Sequence, residues 1–131
     1  MASSELATVS LWHRLLNDGE IEQLIALIDP DVEVGGPRGS GHGAALFRQW
    51  FGRAGVRLTP LRYFHRKSVV VVEQEGEWQP PTSDQPAGRQ RLATVFTLSG
   101  GSITRIVRFP ALLDALEAAG VTDAEEAPGA G

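Results

Sequence analysis

The stretch Arg91–Pro110, RLATVFTLSGGSITRIVRFP, decides the fold. Two runs rich in apolar and β-branched residues, Arg91–Leu98 and Ser102–Phe109, flank Gly100-Gly101, a pair suited to a tight turn between antiparallel strands. The second run leads straight into an apolar helical stretch, Ala111–Ala119, which Gly120 stops. A hairpin feeding a helix belongs at the centre of a sheet, and the N-terminal half of the chain must cover one face of it.

Upstream of the hairpin the period of two continues. Val56–His65 and Ser68–Trp78 read as strands joined near Arg66-Lys67. The continuous run Val69-Val70-Val71-Val72 predicts a central strand covered on both faces. Beyond it, Glu73, Glu75 and Glu77 alternate with Gln74, Gly76 and Trp78, which places the glutamates on a solvated face. Gln79–Gly88 holds three prolines and is a loop.

The N-terminal half carries helical spacing instead. Ser3-Ser4-Glu5 can cap a helix whose packing face is Leu6, Val9, Trp12, His13 and Leu16, with His13 on or beside that face. Asn17-Asp18-Gly19 ends it, and Asp18 is placed to cap a second helix, Glu20–Ile28, closed by Asp29-Pro30. Val32–Val34 is a short strand. Gly35–Gly43, GGPRGSGHG, is too glycine-rich for regular structure and lacks the spacing of a phosphate-binding loop. A third helix covers Ala44–Arg53. The domain is bounded at residues 1–122, and the acidic, Gly/Ala-rich stretch 123–131 reads as a disordered tail. Helices gathered on one face of a largely antiparallel sheet make an α+β layer fold.

Composition narrows the function classes. A chain of 131 residues is one domain by length. With a net charge of −4 it lacks the basic footprint of a nucleic-acid binder. It contains no cysteine, which removes thiol chemistry, thiolate metal sites and disulfides. The N-terminus lacks a secretory pattern and no apolar run is long enough to span a bilayer, so a cytoplasmic protein without membrane association is expected. The three histidines, His13, His42 and His65, lie on separate elements without metal-ligand spacing, so neither a metal nor another cofactor is expected.

The element order, together with LWHRLLNDGEIEQLIALIDPDVEV and TRIVRFPALLDALEAAGVT, resembles the SnoaL-like branch of the NTF2-like superfamily over about Leu6 to Thr122. The resemblance implies a cone-shaped α+β fold, a curved sheet wrapped around three N-terminal helices with a short C-terminal helix, and a pocket between sheet and helices. It also implies a homodimer, here through a sheet face bearing Val69, Val71 and Val95. The charged groups of the family's best-known enzymes are not carried over. The ketosteroid isomerase tyrosine and two aspartates fall on Trp12, Gly36 and Thr94, and the Arg-x-Asp of the epoxide-hydrolase-like branch falls on Leu92-Ala93-Thr94. Whether the chain is an enzyme is therefore left open.

What remains is a pocket expected to be lined by Trp12, Leu16, Val34, Trp50, Gln74, Trp78, Thr94, Phe96 and Arg108. The ligand it implies is a small hydrophobic or aromatic molecule, with an acidic end if an arginine faces inward. Isomerase, cyclase or hydrolase chemistry would have only His42, Tyr63 and a pocket glutamate for proton transfer. For His42 the plainer alternative is a loop histidine held neutral by the positive end of a helix. A two-residue Gly100-Gly101 turn puts Arg105 opposite Phe96, whereas a three-residue turn including Ser102 puts Arg108 opposite Thr94. The resemblance favours Arg108. An arginine in an apolar pocket needs a carboxylate, for which Glu73, Glu75 or Asp114 is available, or an anionic ligand. The other class of function is a non-catalytic dimeric scaffold.

Overall fold

A computed structural model describes residues 4–36, 39–51, 57–78 and 88–127. Helix α1 (Ser4–Asp18) turns at Gly19 into the short α2 (Ile21–Ile25), and then come β1 (Ile28–Gly36), β2 (Gly39–His42) and α3 (Ala44–Phe51). The long strands β3 (Arg57–Arg66), β4 (Val69–Trp78), β5 (Gly88–Ser99) and β6 (Ser102–Phe109) follow, then α4 (Leu112–Ala119), a 3-10 turn and the two-residue β7 (Glu126–Ala127). They form one seven-stranded sheet in the order β2-β1-β6-β5-β4-β3-β7. Among the described residues only the β1–β6 pair is parallel, so the sheet is mixed. No helix among the described residues is long and apolar enough to cross a membrane.

Alternation along β4 separates two apolar layers. Val70 and Val72 pack inward with Trp12, Phe47, Phe96 and Ile106, while Val71 packs outward with Phe64, Val95, Ala115 and Leu116. The valine run is thus buried on both faces, as its composition predicts. Helices α1 to α3 cover the inner face, and α4 covers the outer one. That corrects the expectation that all the helices share a face. It also corrects the expectation that Val71 and Val95 are exposed on the sheet face: both are buried beneath α4 with Ala115 and Leu116, and Val69 is partly buried against the same cluster.

Three further local expectations change. Helix α2 is shorter than Glu20–Ile28, because Ile28 already pairs with Ile103 and starts β1. Asp29 and Pro30 therefore lie in a strand, at the register break between Ile28 and Glu33, where the missing proline N–H is harmless. The glycine stretch forms a strand after all: β2 pairs with β1 from Glu33↔His42 to Gly36↔Gly39. Glycine there allows close packing, since a Cβ on Gly41 would collide with Leu46. Finally, residues 123–127 of the stretch expected to be a disordered tail take up regular structure, and 128–131 lie outside the described residues. The Thr122–Glu125 capping box shapes a 3-10 turn, β7 pairs with Tyr63 and Phe64, and Glu126 receives two hydrogen bonds from Arg62.

The hairpin at the centre combines parts of both registers weighed from the sequence. Gly100 and Gly101 have φ of +58° and +87°, so the turn has two residues and pairs Ser99 with Ser102 and Leu98 with Ile103. The register then slips by one, because Thr104 is inserted before Arg105 pairs with Thr97. The Thr104 hydroxyl donates to the Thr97 carbonyl at 3.2 Å, which ties the bulge down. Beyond it Ile106 opposes Phe96, and Arg108 opposes Thr94.

Candidate functional site

Helix α1 delivers two consecutive aromatic side chains to the inner face. Trp12 meets Phe96 edge-on with ring centroids 4.9 Å apart and Phe47 at 6.2 Å. The His13 ring sits 5.0 Å from Trp12, 5.6 Å from Phe96 and 6.3 Å from Tyr63, again edge-on. At the C-terminus of α1, Asn17 exchanges two 2.9 Å hydrogen bonds with the backbone of Leu58, fixing the helix against β3. This clamp sets the height at which Trp12 and His13 stand over the sheet.

The buried polar side chains of the described residues are His13, Gln74 and Thr94, and they form one chain. His13 Nδ1 lies 2.8 Å from the carbonyl of Val9, which can only accept, so Nδ1 carries the proton. The bare Nε2 then accepts from the Gln74 amide nitrogen at 2.7 Å. The Gln74 amide oxygen in turn accepts from the Thr94 hydroxyl at 2.7 Å. Burial is the main reason that the imidazole pKa falls to about 4, with the Val9 bond opposing the shift, so the ring is neutral near pH 7. Burial likewise raises the Tyr63 phenol, partly offset by a hydrogen bond with Ser10. The buried polar side chains His13, Gln74 and Thr94 are thus neutral and hydrogen-bonded to one another. Every lone pair that would make His13 a base is already engaged.

Most of the residues expected to line a pocket, together with the proton-transfer candidate Tyr63, lie side by side on the inner face. Trp12, Leu16, Val34, Tyr63 and Phe96 belong to one buried cluster, and Gln74 and Thr94 share its face of the sheet. Arg108 shares that face too, since it lies directly across from Thr94, but it stands at the end of β6 where its side chain is exposed. Water therefore solvates its charge and no internal carboxylate is required. Among the described residues it makes no ion pair. Glu73 and Glu75 are engaged on the outer face by Arg62 and Arg89, and Arg105 pairs with Glu33 at 3.3 Å. His42 is exposed at the end of β2, apart from the buried chain. The side chains of Trp50 and Trp78 lie outside the described residues. Among the described residues no three His, Asp or Glu side chains are grouped to hold a metal ion.

His13 is the site member that sequence reasoning left in the packing face. Its spacing within the helix is that of a core residue, and the partner that gives it a polar role, Gln74, is 61 positions away. The signal available was the rarity of a polar ring on a buried helix stripe, beside a lone glutamine on the inward side of β4.

Comparison with solved structures gives the same architecture at low identity. The chain is similar to an NTF2-like protein of unknown function from Cytophaga hutchinsonii, with 12% identity, 82% of this chain and 89% of that one covered, and a TM-score of 0.71. It is similar to TerC co-crystallised with polyporic acid, with 20% identity, 88% and 97% coverage and a TM-score of 0.72. It also resembles a putative polyketide cyclase from Xanthomonas campestris pv. campestris, with 18% identity, 86% and 96% coverage and a TM-score of 0.68. At such identities these likenesses establish the fold alone. Curated proteins give no significant match. The SnoaL-like domain model matches residues 9–106, which is most of the chain, and the protein therefore belongs to the SnoaL-like family with an NTF2-like fold.

Proposed function

We propose that this protein binds a small, largely apolar molecule on the inner face of its sheet, at the end where Arg108 faces Thr94, and that the molecule carries an acidic group. The observation that carries this reading is the position of Arg108. It is a cation on the helix-covered face, opposite a buried hydroxyl, with no carboxylate partner among the described residues. Trp12 and Phe96, buried edge-on against each other, make the neighbouring core of that face apolar. The fold-mate crystallised with polyporic acid lends support, since a molecule of this class suits the same architecture.

Binding without proton transfer fits these groups better than acid–base chemistry. The lone pair of His13 is engaged by Gln74, its pKa of about 4 makes it a poor base, and the Tyr63 phenol stays protonated. The dimeric-scaffold reading draws less support, because Val71 and Val95, two of the residues expected on its surface, are buried beneath α4.

A thermal-shift screen tests the proposal. Aromatic carboxylic acids are expected to raise the melting temperature of the wild-type protein, their amides much less, and Arg108→Ala is expected to abolish the preference for acids. Absence of any shift across acids, steroids and lactones, or an equal shift in Arg108→Ala, would contradict it.

A further inference from the structure

We infer that Thr94 meets the bound molecule as a hydrogen-bond acceptor, so that the ligand is a hydroxylated organic acid: one group donates to Thr94 and an anionic group reaches Arg108. This rests on the reading above that the molecule lies at the Thr94–Arg108 end of the inner face. It adds the polarity of the second contact, which that reading leaves open.

The direction of every hydrogen bond in the buried chain follows from its first member. The Val9 carbonyl has lone pairs only, so the proton of the neutral His13 ring must sit on Nδ1. A neutral imidazole has one such proton, so Nε2 can only accept. The atom of Gln74 that faces it must then be the amide nitrogen, and the amide oxygen is turned toward Thr94. Thr94 Oγ1 therefore spends its single proton on Gln74, and its own oxygen has lone pairs left and nothing to donate. Burial supports the same outcome, since a ring that stays neutral down to about pH 4 cannot reverse the chain near pH 7.

Thr94 and Arg108 belong to neighbouring strands, roughly 4.8 Å apart at the backbone, and the long arginine side chain extends the second contact farther out. A rigid ring with a hydroxyl at one end and a carboxylate at the other spans such a pair. An ether or a ketone at the first position would set lone pair against lone pair and leave a buried acceptor unsatisfied. Thr94 is the specificity-determining residue in this account, and His13 and Gln74 are positioning residues that act through it.

The test is calorimetric titration of three probes, para-hydroxybenzoate, para-methoxybenzoate and para-hydroxybenzamide, against the wild type, Thr94→Ser, Thr94→Val and Arg108→Ala. The hydroxy acid is expected to bind wild type about tenfold or more tightly than the methoxy acid, the size of an unmet buried hydrogen bond. Thr94→Ser should keep that preference and Thr94→Val should erase it. If wild type binds both acids equally while Arg108→Ala weakens both, the acceptor role is wrong and the underlying site stands. If neither acid binds wild type, or Arg108→Ala binds both as wild type does, the site itself falls and the inference with it.

Discussion

Arg108 stands opposite Thr94 because Thr104 occupies an extra position in β6. Without that insertion the two-residue turn would turn Arg105 toward the helices and Arg108 away from them. The bulge therefore decides which arginine shares a face with the buried hydroxyl. The other one, Arg105, lies on the outer face against Glu33.

The two arginines should separate cleanly by substitution. Both are exposed, and the Arg105–Glu33 pair is of the kind that adds little stability. Arg105→Ala and Arg108→Ala are each expected to leave the urea unfolding midpoint close to wild type. Only Arg108→Ala should lose stabilisation by aromatic acids in a thermal shift. Equal loss in both would mean that general surface charge, rather than position, attracts the acid.

His13 should make stability depend on pH. Its folded pKa of about 4 lies below the ordinary imidazole value of 6.5, so between these values the unfolded chain binds the extra proton. Stability is full above pH 6.5, falls as the pH drops through the window, and loses nothing further from this group below about 4. The span corresponds to roughly 3 kcal/mol. Urea titrations of wild type and His13→Leu at a series of pH values measure it, and the variant should lack this part of the slope.

Gln74→Leu removes the middle of the buried chain and leaves the His13 Nε2 and the Thr94 hydroxyl without their partner. A loss of about 1–3 kcal/mol per stranded group is expected from chemical denaturation. A neutral result would mean that water or a rearranged side chain replaces the amide.

The sequence carried the fold further than the site. Val69–Val72 announced a strand buried on both faces because four apolar residues in succession leave no solvated side. The packing stripe of α1 was legible for the same reason of period. Strand β2 was not, since Gly39, Gly41 and their neighbours carry no apolar alternation, and their pairing depends on β1 and on the side chain of Leu46. The order of residues 123–127 was hidden because Glu126 is fixed by Arg62, far away in the chain. Register at Gly100-Gly101 was undecidable, since a bulge leaves no residue signature as plain as a glycine turn. The hydrogen-bonded role of His13 depends on long-range packing that no local pattern encodes.

The outer layer gives a stability test of the face assigned to α4. Leu116 is buried against the sheet there, so Leu116→Ala should cost about 2–5 kcal/mol in urea unfolding. A small effect would indicate that α4 is loosely held and that Val71 and Val95 are available to a second copy.

The C-terminal strap should contribute through burial more than through charge. Ending the chain at Gly120 removes Val121 from the outer cluster together with β7, and a lower melting temperature is expected. Glu126→Gln breaks only an exposed ion pair and should change the melting temperature little.

An NMR titration of the labelled protein with para-hydroxybenzoate locates the acid on the molecule. Shift changes are expected to concentrate at Thr94, at Arg108, at Gly36, which follows the Gly35↔Val107 pair and so neighbours Arg108, and at the indole of Trp12, saturating together. Changes confined to α4 and the outer face, or none at saturating acid, would contradict binding at the Thr94–Arg108 end.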